Sequence, residues 1–167
     1  MPTLTDRISR LRRLILRVSG SLRWLPPTVA RLTLGWIFLQ SGWGKLNSLP
    51  KVIAYFTELG IPAPQIQAPI AAGFEFLCGA LMLLGFCTRL ASLPLIGIML
   101  VAIGSAKRGD IHELSDLFAT AEYLYIALAL WLGAYGAGPI SLDAFFARRF
   151  ERGERPVPGR TGADPAR

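Results

Sequence analysis

Four apolar stretches, each close to the length of one membrane-crossing helix, constrain this chain more than any other feature. They run over residues 28–46, 66–86, 90–106 and 117–137. An α-helix needs ~20 mostly apolar residues to cross ~30 Å of hydrocarbon. Lipid offers no partner to an open backbone, so such stretches read as helices. The rest of the sequence cannot cover four of them with polar surface. Hydrophobic residues make up 52% of the 167 and charged ones only 17%, whereas soluble domains carry about 25% charged residues. The expected fold class is therefore all-α: a four-transmembrane-helix bundle with an N-terminal amphipathic interfacial helix. Three regions follow. Residues 1–26 are a cytoplasmic basic amphipathic helix, 27–143 the membrane domain, and 144–167 a basic cytoplasmic tail expected to be disordered.

The connections set the order of packing. Pro50, Gly60, Pro62 and Pro64 break helix between the first two spans, with room for a short interfacial helix from Val52 to Leu59. Cys87-Thr88-Arg89 is a tight turn, so the second and third spans should be antiparallel neighbours. Pro94 should bend the third span. Net charge is +7, but the basic residues lie in the tails and not on a mixed basic and aromatic face, which argues against nucleic acid. Counting both tails and the turn at Arg89, thirteen basic residues fall on one side, against Lys51, Lys107 and Arg108 on the other. Cytoplasmic flanks are enriched in Lys and Arg, so both termini should be cytoplasmic. The N-terminal helix presents Leu4, Ile8, Leu11 and Ile15 on one face and Arg10, Arg13 and Arg17 on the other, a pattern suited to membrane lipids.

Four ionisable residues lie inside the spans: Arg31, Lys45, Glu75 and Glu122. Charge within a bilayer is costly and usually faces the bundle interior. Arg31, Gly35, Phe38, Gly42 and Lys45 share one stripe of the first helix. Glu75 shares a face with Ala68, Ala72, Gly79, Met82 and Phe86, and Glu122 with Phe118, Tyr125, Ile126, Ala129 and Gly133. Depth along the helices places Lys45, Glu122 and Glu75 together in the outer half, with Glu122 as the counter-charge of Lys45. An unpaired Glu75 near mid-membrane would be neutral, because desolvation disfavours the charged form. Glu75 and Glu122 are thus the candidate catalytic carboxylates, and Arg31, Lys45 and Tyr125 the candidate ligand-binding or charge cluster. Arg31, Arg89 and Asp143 form the expected ion pair at the inner face.

Other chemistry finds little support. Cys78 and Cys87 fall on opposite helix faces, so no redox dithiol is encoded. His112 and Asp116 are two potential ligands at i,i+4 spacing, which do not make a metal site. The spans contain no haem ligand pair, and the chain has no phosphate-binding glycine loop and no Ser/His/Asp set. Trp36, Trp43, Trp131, Tyr123 and Tyr135 read as lipid-facing or interfacial aromatics.

Several motifs occur in a specific order. They are Arg31-x3-Gly35-x2-Phe38-x3-Gly42-x2-Lys45, Gly60-Ile61-Pro62-x-Pro64, Gly73-x-Glu75-x3-Gly79, Leu83-Leu84-Gly85-x2-Thr88-Arg89, Ala121-Glu122-Tyr123, and Gly136-x-Gly138-Pro139-x-Ser141-Leu142-Asp143. Together they resemble the DoxX family of small bacterial integral membrane proteins, over residues 28–143. The departures are the basic N-terminal extension and Ala121, where the family often has Gly. The resemblance implies a multi-pass protein of the bacterial inner (plasma) membrane. It also implies a link to redox systems, since members include a thiosulfate:quinone oxidoreductase subunit and a membrane partner of superoxide dismutase and a sulfurtransferase.

The leading expectation is a membrane subunit or partner of an oxidoreductase system, contacting quinone or anchoring a soluble redox protein. No cofactor is encoded by the chain, and quinone is the candidate ligand. A homo-oligomer is compatible with this reading. The alternatives are a non-enzymatic membrane scaffold whose charges serve folding, and a small proton-coupled transporter.

Overall fold

The computed structural model describes residues 12–153, residues 14 and 18 excepted. Among these there is helix but no strand. From Leu25 onward the described residues form seven helices in order: α1 (Leu25–Asn47), α2 (Leu49–Glu58), α3 (Pro64–Leu84), α4 (Thr88–Ser105), α5 (Leu114–Ala119), α6 (Ala121–Tyr135) and α7 (Leu142–Gly153). The expected amphipathic N-terminal helix falls largely on residues 1–11, outside the described residues. Of its described part, Arg12, Arg13, Ile15 and Arg17 are helical and exposed.

Prolines mark the helix starts. Pro26, Pro50 and Pro64 occupy the first turns of α1, α2 and α3, where a missing N–H costs no helical bond. The α3–α4 turn is built on Gly85 at φ +67°, with Phe86 N–H donating to Leu81 O and Gly85 N–H to Met82 O. This left-handed closure satisfies carbonyls that the helix end leaves open. It makes α3 and α4 antiparallel neighbours, as the sequence implies.

α1 packs most extensively on α3, and α4 on α6. The α1–α3 seam depends on glycine. A Cβ on Gly42 would collide with the backbone of Phe76, and one on Gly79 with the backbone of Leu39. The helices can approach this closely only because neither position carries a side chain. Leu34, Phe38, Met82, Leu95, Ala129 and Leu132 form the core between the two pairs. Large apolar side chains cover the outside, among them Trp36, Trp43, Leu77, Leu93, Leu100 and Leu130. Such a surface is suited to acyl chains and not to water.

Two helices, α3 and α4, combine the length and hydropathy of a membrane span. α1 has 23 residues. The fourth expected span, residues 117–137, is not one helix. Thr120 breaks it at φ −75°, ψ 143°, and its hydroxyl accepts the Tyr123 N–H at 3.3 Å. That N-cap starts α6 afresh, leaving 15 residues, and Phe118 falls on α5, exposed. Phe86 also leaves the face assigned to it: it lies beyond the end of α3 and is 39% exposed. The tail expected to be disordered from residue 144 is helical to Gly153. Ser141 caps this helix by accepting the Ala144 N–H at 3.1 Å.

Candidate functional site

Two of the four ionisable residues in the apolar stretches meet. Because Gly42 lets α1 lie against α3, Lys45 reaches across to Glu75, and its Nζ donates to Oε1 at 2.5 Å. Ser41, one helical turn before Lys45, donates its hydroxyl to the other carboxylate oxygen at 2.8 Å. The Glu75 side chain is 1% exposed and the Lys45 side chain 33%. A buried carboxylate with both oxygens satisfied is a tolerable charge, whereas an unpaired one is not.

This trio lines a cavity of about 760 Å³ bounded by α1, α2, α3, α4 and α6. Its walls are mainly apolar. Glu122 and Tyr125 of α6 also line it, and the Tyr125 ring stands edge-on to Phe38 with centroids 5.7 Å apart. The Lys45 ammonium, with three N–H donors, can bond Glu75 and still present hydrogens to the cavity.

This arrangement corrects the expected pairing. Lys45 takes Glu75 and not Glu122 as its counter-charge, because the glycine seam fixes α1 against α3. Glu75 is therefore not the unpaired mid-membrane carboxyl of the sequence reading. Glu122, half-buried, faces the same cavity without an ion pair among the described residues. Ser41 is the site residue that sequence reasoning missed. The available signal was its position four residues before Lys45, on the same helix face.

The other end of α1 differs. Arg31 is 5% exposed, and its Nε and Nη1 have no hydrogen-bond partner among the described residues. Its guanidinium lies against Gly85, where a Cβ would overlap Nη1. The expected ion pair of Arg31, Arg89 and Asp143 does not form among the described residues. The Asp143 carboxylate instead accepts N–H bonds from Cys87 at 2.8 Å and Thr88 at 3.2 Å. The first amides of a helix lack intrahelical acceptors and attract such an anion, so Asp143 caps α4. Arg89 lies beside Gly136 instead.

Outside the spans, Asp116 accepts the backbone N–H groups of His112 and Glu113, each at 3.0 Å. These bonds hold its carboxyl below the usual carboxylate range. The Glu113 side chain reciprocates in a capping box that starts α5. Among the described residues, no three His, Cys, Asp or Glu side chains are grouped to hold a metal ion.

Apolar helices sealed along a glycine seam, with charges turned inward and aliphatic residues outward, define a membrane protein. The chain belongs to the DoxX family, whose model matches residues 27–108. It is 30% identical over 137 residues to the uncharacterized membrane protein Rv3486 of Mycobacterium tuberculosis, covering 74% of this chain and 84% of that one. It is 31% identical to the inner membrane protein YphA of Escherichia coli, with 74% and 92% covered. Inner membrane protein YqjF of the same organism is 25% identical, with 73% and 92% covered. No solved structure matches the chain. The matched family region contains Arg31, Ser41, Lys45, Glu75 and Arg89, and ends before Glu122, Tyr125 and Asp143.

Proposed function

We propose that the chain is a four-span protein of the bacterial inner membrane, with both termini cytoplasmic, and that it serves an oxidoreductase system by contacting quinone in the α1–α3–α4–α6 cavity. The carrying observation is the Lys45–Glu75–Ser41 constellation in the wall of a largely apolar cavity. The location is supported by the relatives named as inner membrane proteins and by the charge asymmetry of the flanks. α1 and α6 supply the remaining spans, with α6 rising ~22 Å at 1.5 Å per residue.

The residues fit the group. Apolar walls suit a quinone ring, and Lys45 offers free N–H donors to a carbonyl oxygen. Quinone, when bound, supplies a two-electron, two-proton carrier. Glu75 is placed to take up or deliver a proton, and Ser41 holds that carboxylate in position. Electrons would come from a soluble redox partner at the cytoplasmic face. The test is extraction and mass analysis of small molecules bound to protein purified with native lipid. A quinone retained by the wild type and lost in Lys45→Met is expected. Protein that carries no quinone, even when supplied with it, refutes the reading. For topology, single cysteines placed in residues 51–60 or 107–113 should react with an impermeant thiol reagent from the outer side.

One observation favours a second reading, a membrane scaffold. Both Glu75 oxygens are already satisfied within the protein, as a purely structural ion pair requires. Under that reading Lys45→Met/Glu75→Leu leaves every cellular phenotype of the protein intact.

A further inference from the structure

We infer that the cavity takes its ligand sideways from the bilayer, as an amphiphile with a long apolar chain. The chain leaves between α3 and α4 past Gly97. This rests on the quinone reading for the head of the ligand, but the chain exit has its own basis.

α3 and α4 are joined at the Gly85–Cys87 turn, and beyond it Ile70, Phe74 and Glu75 of α3 and Pro94, Gly97 and Val101 of α4 line the cavity. Glu75 is nine residues before the end of α3 at Leu84, and Gly97 nine residues after the start of α4 at Thr88. The two therefore lie at the same depth, ~14 Å from the turn. Both line the cavity. A Cβ on Gly97 would meet no atom within 4 Å, so this wall is open where its neighbours carry side chains. Ile70, Phe74 and Val101 line the cavity too, yet they are 51%, 43% and 52% exposed. Residues that face a cavity and the outside at once form the rim of an opening. These three are apolar and lie in the two helices with the clearest membrane-span character, so the rim faces acyl chains and not water.

Ser41, Lys45 and Glu75 line the cavity from α1 and α3 and Glu122 and Tyr125 from α6, with Lys51, Gln67 and Ser105 as further polar lining. A ligand with a hydrogen-bonding head and an alkyl or polyprenyl tail matches polar lining beside an apolar rim. Its head meets the donors, and its tail runs along Gly97 into lipid. A tail-less polar solute leaves the apolar rim unused. Gly97 is thus a specificity-determining position. An aromatic side chain there closes the exit without touching the head site.

The test is equilibrium binding to the full chain in detergent with three probes: a decyl-tailed benzoquinone, the same ring without a tail, and dodecanol. The tailed quinone should bind the wild type at least about tenfold more tightly than the bare ring, the effect of roughly two buried methylenes. Gly97→Phe should remove that difference and leave bare-ring binding unchanged. Gly97→Ala should lie between. If Gly97→Phe does not fold, Ala71→Leu on the α3 wall takes its place. Equal affinity of tailed and bare quinone for the wild type overturns the exit and leaves the head site standing. A tail preference that Gly97→Phe leaves intact also overturns it. Dodecanol binding that Gly97→Phe abolishes, with neither quinone bound, sustains the exit and refutes quinone as the head. Binding of none of the three refutes both.

Discussion

α1 carries two cations on one stripe, Arg31 buried and Lys45 partly exposed, and the protein treats them in opposite ways. Lys45 finds a carboxylate on the neighbouring helix, and that carboxylate is satisfied twice. Arg31, four turns earlier on the same stripe, is more deeply buried, and two of its nitrogens find no partner among the described residues. The nearby acid, Asp143, is engaged by backbone amides at the start of α4. Net neutrality therefore does not predict pairing. A carboxylate goes to whichever donors the backbone brings within reach, and a helix N-terminus competes effectively with a guanidinium.

The largest test breaks the Lys45 site. Glu75→Leu strands the Lys45 ammonium and should destabilise the protein by ~3 kcal/mol, the low end for a broken buried pair because Lys45 keeps some exposure. Lys45→Met/Glu75→Leu should recover most of that loss, because an apolar pair has no charge to desolvate. Thermal unfolding in one detergent reads both. A double variant no more stable than the single one would show that the ion pair itself holds the bundle together.

At the Arg31 site the effects should be smaller and differently signed. Asp143→Ala removes the cap of α4 and should cost ~1–2 kcal/mol. Arg31→Met removes a buried charge without a hydrogen-bonded partner and should be neutral or mildly stabilising. A large loss in Arg31→Met would mean that Arg31 is held by a group outside the described residues, and the contrast between the two cations would fall.

Glu122→Gln sharpens the comparison from the other side. Glu122 makes no ion pair among the described residues, so the change should stay within ~0.5 kcal/mol in the same melting series. A loss matching that of Glu75→Leu would restore Glu122 as the partner of Lys45.

The smallest effect is in the loop that leads into α5. Backbone bonds hold the Asp116 carboxyl below its ordinary value, so its stabilisation of the capping box is complete above about pH 4. It should fade as pH falls through the depressed folded value. Amide exchange at His112 and Glu113 should accelerate over that acid range in the wild type. In Asp116→Asn the same amides should exchange fast at every pH. A wild-type profile without an acid transition would remove the carboxylate from the cap.

Much of this organisation was legible in the residues. The glycine stripe of α1 did mark a close helix contact, the prolines did mark breaks between α1 and α3, and the turn expected at Cys87–Arg89, which closes at Gly85–Cys87, did make neighbours of α3 and α4. Local signals also exist for two features that hydropathy and composition hide. Thr120 and Ser141 each precede a helix as N-cap residues, which explains the break in the fourth apolar stretch and the helicity of Leu142–Gly153. Apolar hydropathy masked the first, and a high arginine content the second.

By itself, then, the sequence determined the all-helical class, the membrane character and the set of buried charges, because hydrophobic period and length are properties of one helix at a time. The tertiary structure decided the partners: Lys45 with Glu75, Asp143 with the amides of α4, and Glu122 with the cavity alone. Pairing depends on the rotation and separation of two helices, and these are set by packing at Gly42 and Gly79 and by the closure at Gly85. A shift of one residue in that packing would turn Glu75 by about 100° around its helix axis and leave Lys45 without its counter-charge.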